Sequence, residues 1–121
     1  EVLEIHQDQI ARYGGEPGTR DLNLLRSAIG MPSATFDGNY LHVDIFEMAA
    51  AYLFHLVQNH PFVDGNKRTA FQCMYVFLYI NGIEITASEI DVVVTMLGPA
   101  DGSISEMQLA AWLKANYEKI A

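Results

Sequence analysis

The chain has 121 residues, half of them hydrophobic and 18% charged, which is enough to bury one core and too apolar for disorder. Seven basic residues against 15 acidic ones leave a net charge of −8, which argues against a general nucleic-acid binder. A single cysteine, Cys73, leaves no internal disulfide and no cysteine-rich metal module, so a cytoplasmic setting is expected.

No membrane association is expected either. The densest apolar stretch, residues 70–80, is interrupted by Gln72 and falls short of the roughly 18 residues a span needs, and no basic-then-apolar leader is read. In chain order, Leu3, Ile5, Ile10 and Tyr13 carry a first helical pattern, which the pair Gly14-Gly15 closes. After a loop, Asp21 stands as N-cap ahead of Leu22, Leu25 and Ile29, and a short second helix runs to about Gly30 before Pro32. Asp37-Gly38 is a tight-turn signal between Phe36 and Tyr40, so Phe36, Asp37, Gly38, Asn39, Tyr40 and Leu41 are read as a hairpin-like flap.

From Asp44 to about Asn59, Ile45, Met48, Ala49, Tyr52, Leu53 and Leu56 recur at helical spacing, with Asp44 as cap. Residues 68–81 are apolar almost all the way round, the pattern of a central helix enclosed by others. Asn81-Gly82 ends it. Ser88 caps a further helix from Glu89 to Leu97, and Ser105 with Gln108 forms a capping box for the last. The sum is a single all-α domain over residues 1–121, with about six helices, one flap and no internal repeat.

Between the two longest apolar helices lies His60-Pro61-Phe62-Val63-Asp64-Gly65-Asn66-Lys67-Arg68, which packs a base, a carboxylate, an amide and two cations into nine residues. Because the segment opens a helix, the N–H groups near Gly65 to Arg68 lack intrahelical partners and form a donor cluster suited to phosphate. Lys67 and Arg68 would neutralise its charge, and cations at a helix start oppose the dipole unless an anion is present. Asp64 would repel a phosphate unless Mg²⁺ bridges the two, so a magnesium nucleotide fits. His60 can take the proton of an attacking hydroxyl, because imidazole titrates near neutral pH. Phe62 reads as an apolar anchor holding the loop to the core. The parts together suggest phosphoryl or nucleotidyl transfer. His6, His42 and His55 share no metal-ligand spacing and are read as core or surface histidines.

The His-Pro-Phe-x-Asp-Gly-Asn-Lys-Arg motif resembles the signature of the Fic/Doc family, and its Asn-Lys-Arg ending resembles the death-on-curing (Doc) branch. Tyr13-Gly14-Gly15, the stretch from Pro17 to Asp21 and the flap extend the likeness over nearly the whole chain. The resemblance implies the small helical Fic fold, with His60, Asp64 and Arg68 catalytic and Asp64 the Mg²⁺ ligand. It makes Gly65, Asn66, Lys67 and Arg68 the nucleotide contacts, and the flap a weaker docking element for the target. Nucleotidyl-transferring Fic proteins commonly carry glycine at the Lys67 position and a second arginine where Phe71 stands, so an inhibitory glutamate would find no cation there. Lysine in place of glycine implies γ-phosphate transfer from Mg-ATP. By resemblance the acceptor is a threonine of elongation factor Tu and the partner a cognate antitoxin. AMP transfer is the rival chemistry, and a catalytically silent interaction module the rival class.

Overall fold

The computed structural model describes residues 1–33, 35–36, 39–40 and 44–120. Six helices account for most of them: α1 (Val2–Tyr13), α2 (Leu22–Gly30), α3 (Ile45–Asn59), α4 (Asn66–Ile80), α5 (Glu89–Asp101) and α6 (Glu106–Ala115). The fold is all-α, as the sequence patterns imply. Among the described residues, no helix is long and apolar enough to cross a membrane.

The caps form where the side chains dictate. Asp21 accepts from the Leu24 N–H at 3.0 Å, Asp44 from Glu47 at 2.8 Å and Ser88 from Asp91 at 3.2 Å, while Ser105 and Gln108 close a reciprocal capping box. Gly14 ends α1 at φ +83°, with its N–H on the Ile10 carbonyl.

Two features depart from the sequence reading. The central helix is α3, not α4: it packs against α2, α4, α5 and α6, because Ala49, Ala50 and Ala51 let neighbours approach from several sides. Helix α4 instead leaves Val76, Tyr79 and Ile80 exposed. Helix α5 also runs past Leu97 through Pro99 to Asp101, ended by Gly102 at φ +82°. The buried Pro99 keeps its carbonyl engaged by the Gln58 amide at 3.1 Å, and Ile104 packs where a side chain on Gly98 would stand.

Strands β1 (Thr35–Phe36) and β2 (Asn39–Tyr40) pair antiparallel with Phe36 opposite Asn39, the register of a two-residue hairpin. The turn residues Asp37 and Gly38, and Leu41 and His42 beyond, lie outside the described residues. A second pair was not foreseen: β3 (Ile83–Ile85) and β4 (Tyr117–Lys119) are antiparallel, with Glu84 facing Glu118. The core gathers Leu25, Leu53, Leu56, Met74, Leu78, Leu109 and Leu113, and Phe62 from the α3–α4 connection is buried among them.

Candidate functional site

The chain between α3 and α4 is held from both sides. His60 closes α3 in the left-handed region (φ 48°, ψ 54°), the one non-glycine residue with positive φ among those described. Arg20 supports that corner, donating from Nε to the His60 carbonyl at 2.7 Å and from Nη2 to that of Asn59 at 3.0 Å. Loop residues 18–21 run alongside. Thr19 bridges Phe62, the Val63 N–H meets the Gly18 carbonyl at 3.1 Å, and the Pro61 carbonyl accepts from Arg20 at 2.7 Å and Asp21 at 3.1 Å.

The buried Asn66 organises the inside of the turn. Its Oδ1 accepts from the Phe62 N–H at 2.9 Å and its Nδ2 donates to the Phe62 carbonyl at 2.9 Å. Those two contacts fix which end of the amide is which, so the same Nδ2 is also the donor to His60 Nδ1, 3.2 Å away. The side chain faces inward, and what Asn66 can offer a ligand is its backbone N–H at the start of α4.

Asp64 sits on the outer face. Its Oδ1 accepts from the Gly65 N–H at 2.8 Å and its Oδ2 from that of Glu16 at 3.2 Å. The Gly65 bond first and the Glu16 bond second, with Arg68 nearby, hold this carboxyl below the usual carboxylate range. Arg68 reaches across to α1, donating from Nη2 to the Gly14 carbonyl at 3.0 Å. Gly15 lies against both groups: at φ +119°, a Cβ there would stand 2.7 Å from Asp64 Oδ2 and 3.1 Å from Arg68 Nη2.

The five polar motif residues His60, Asp64, Asn66, Lys67 and Arg68, with Gly65, line one open cleft of about 590 Å³, with Val57, Val63 and Ala100 as its apolar walls. Lys67 is exposed on its rim; hydrogen bonds from Ser103 hold the Asp101 carboxyl at the end of α5 below the usual range, with the Lys67 charge adding least. His55 lies 3.4 Å from Glu106 and does not line the cleft. Among the described residues no three His, Cys, Asp or Glu side chains converge as a metal cage. The sequence pattern placed none of Gly15, Arg20, Ala100 or His6 at the cleft, because their contacts there are spatial rather than sequential. His6 is buried, as expected of a core histidine, but it is stacked on Phe62 and bonded to the Asp64 carbonyl.

A histidine, a carboxylate and two cations thus gather around a helix N-terminus on an all-helical scaffold. The profile of the Fic/DOC family matches residues 1–78, and the chain belongs to that family. It is 34% identical to the Protein kinase doc of Escherichia phage P1 over 117 residues, covering 97% of this chain and 91% of that one. It is also 44% identical over 75 residues to Toxin Doc of Mycolicibacterium smegmatis, covering 62% of this chain and 58% of that relative's length.

Proposed function

We propose that the protein is a Doc-like toxin that transfers the γ-phosphate of Mg-ATP to a protein hydroxyl. The observation that carries the reading is the single cleft in which His60, Asp64, Lys67 and Arg68 meet at the start of α4. The phage relative named a protein kinase, similar over nearly the full chain, supports the same chemistry.

The residues present fit a magnesium ion. Asp64 is ionised and exposed, and each carboxylate oxygen holds one N–H donor, which leaves a lone pair on each. One carboxylate together with nucleotide phosphates is a common way to bind this ion. Magnesium, when bound, neutralises phosphate charge and aligns the triphosphate. With Asp64 as the carboxylate that would hold the ion, the first N–H groups of α4 would supply donors to phosphate oxygens. Lys67 and Arg68 supply the remaining positive charge.

The acceptor oxygen then forms a bond to the γ-phosphorus as the bond to the ADP oxygen breaks, and the hydroxyl proton passes to His60. By resemblance the acceptor is a threonine of elongation factor Tu, presented along the flap, and a cognate antitoxin covers the cleft. The test is mass spectrometry of elongation factor Tu incubated with the protein and Mg-ATP. One added phosphate is expected, and one added nucleotide would instead mark AMP transfer. His60→Ala should abolish the modification while leaving the melting temperature unchanged, because His60 is exposed.

A further inference from the structure

We infer that His6 is a positioning residue for the phosphate-binding turn, an inference that rests on the reading of the cleft given above. His6 lies on α1, is 3% exposed, and contributes nothing to the cleft wall. Its ring lies flat on Phe62, centroids 3.8 Å apart and planes 4° from parallel. Its Nε2 meets the Asp64 carbonyl at 2.8 Å.

A backbone carbonyl can only accept, so Nε2 carries the proton in this contact. In a trans peptide the carbonyl and the following N–H point in opposite directions. Holding the Asp64 carbonyl toward α1 therefore turns the Gly65 N–H outward, where Asp64 Oδ1 accepts it at 2.8 Å. That N–H is the donor a phosphate would meet first. Gly65 takes φ +76°, which glycine reaches without strain but, being conformationally free, does not fix by itself, and His6 supplies a hold on that peptide from a helix packed on the core. The stack on Phe62 and the bond to Asp64 thus act on the two ends of the same turn. Phe62 is set in depth and the Asp64–Gly65 peptide in rotation.

Two variants separate these contacts. His6→Phe keeps a ring on Phe62 and removes the donor, whereas His6→Gln keeps an N–H of similar reach and removes the stack. The readouts are the Gly65 amide resonance, the melting temperature, and the Kd for magnesium with a non-hydrolysable ATP analogue. His6→Phe should move the Gly65 resonance and weaken binding about tenfold at nearly unchanged melting temperature. His6→Gln should melt earlier and bind within about twofold of the parent. A Gly65 amide and affinity left unchanged by His6→Phe would overturn the inference, as would affinity losses that merely follow melting temperature in both variants. Should His6→Phe not fold, nitrogen NMR of the unaltered protein decides: a proton on Nε2 coupled to the Asp64 carbonyl supports the inference, and a bare Nε2 overturns it. If the analogue binds neither parent nor variants, the reading of the cleft fails, while the Gly65 resonance still judges His6.

Discussion

Gly14 and Gly15 end the same helix, yet only at Gly15 would a side chain run into the cleft residues Asp64 and Arg68. Both hold positive φ, so alanine strains the backbone at either position, typically by about 1–3 kcal/mol. At Gly14 the new methyl meets nothing within 4 Å, whereas at Gly15 it displaces Asp64 Oδ2. Gly15→Ala is therefore expected to weaken binding of Mg-ATP several-fold, and Gly14→Ala only to lower stability; calorimetric titration of both distinguishes them. His60 poses a finer question. With Asn66 donating at Nδ1, the neutral ring keeps its proton on Nε2, but receiving a hydroxyl proton at Nε2 requires the other tautomer. On the proposed mechanism, proton transfer to Nε2 would therefore require Asn66 to release Nδ1. Nitrogen NMR of the free protein should show His60 protonated at Nε2, and Asn66→Ala should raise the Nδ1-protonated share. The nine motif residues were legible because their chemistry is concentrated in one stretch. Gly15, Arg20 and His6 were not, since their partners lie far along the chain, 40 positions away for Arg20 and 58 for His6.

At the scale of elements, what the sequence disclosed was local. Caps and glycine stops act within four residues, so Asp21, Asp44, Ser88 and Ser105 announced their helices. Strands β3 and β4 gave no such notice, because three-residue segments 34 positions apart gain meaning only when paired, Ile83 with Lys119. The identity of the central helix likewise depended on neighbours: apolar residues all round α4 implied enclosure, but three small alanines decided the matter for α3. Asp44 joins the local and the distant. It caps α3 and also meets Lys114 of α6 at 2.6 Å. Partial burial pushes its carboxyl up, while Lys114 and the Glu47 N–H pull harder and set it below the ordinary range. A depressed carboxyl stabilises the fold above its unfolded value and loses that contribution as pH falls through the folded one. Asp44→Ala should therefore cost about 1–2 kcal/mol at pH 7, most of it from the cap. The gap to the parent should narrow below about pH 4 in urea unfolding.

For the whole molecule, the central fact is that the cleft and the core are built from one another. Phe62 occupies the core while its neighbours line the cleft, and α1 reaches the same turn through His6, Gly14 and Gly15. The cleft walls come from α3, the turn, α4 and α5, with α1 bracing the turn from behind, so a ligand that binds the cleft stabilises the packing of the whole fold. Composition indicated a single core and an acidic surface, but not this interdependence, which arises only when Phe62 turns inward. Net charge of −8 sharpens the consequence: a free triphosphate is repelled overall and must be admitted through the few cations at the cleft with its charge partly neutralised. Mg-ATP at about a hundred times its Kd should then raise the global unfolding free energy by about 2.7 kcal/mol and the melting temperature by about 10 °C. Chelating the metal with EDTA should remove the shift. Asp64→Ala should abolish it at any metal concentration that leaves the parent saturated, whereas His60→Ala should retain most of it, since on the proposed mechanism His60 serves the acceptor hydroxyl rather than the triphosphate. A melting curve in which Asp64→Ala responds to Mg-ATP as the parent does would place the ligand away from α4 and remove the basis for assigning Asp64 to the metal.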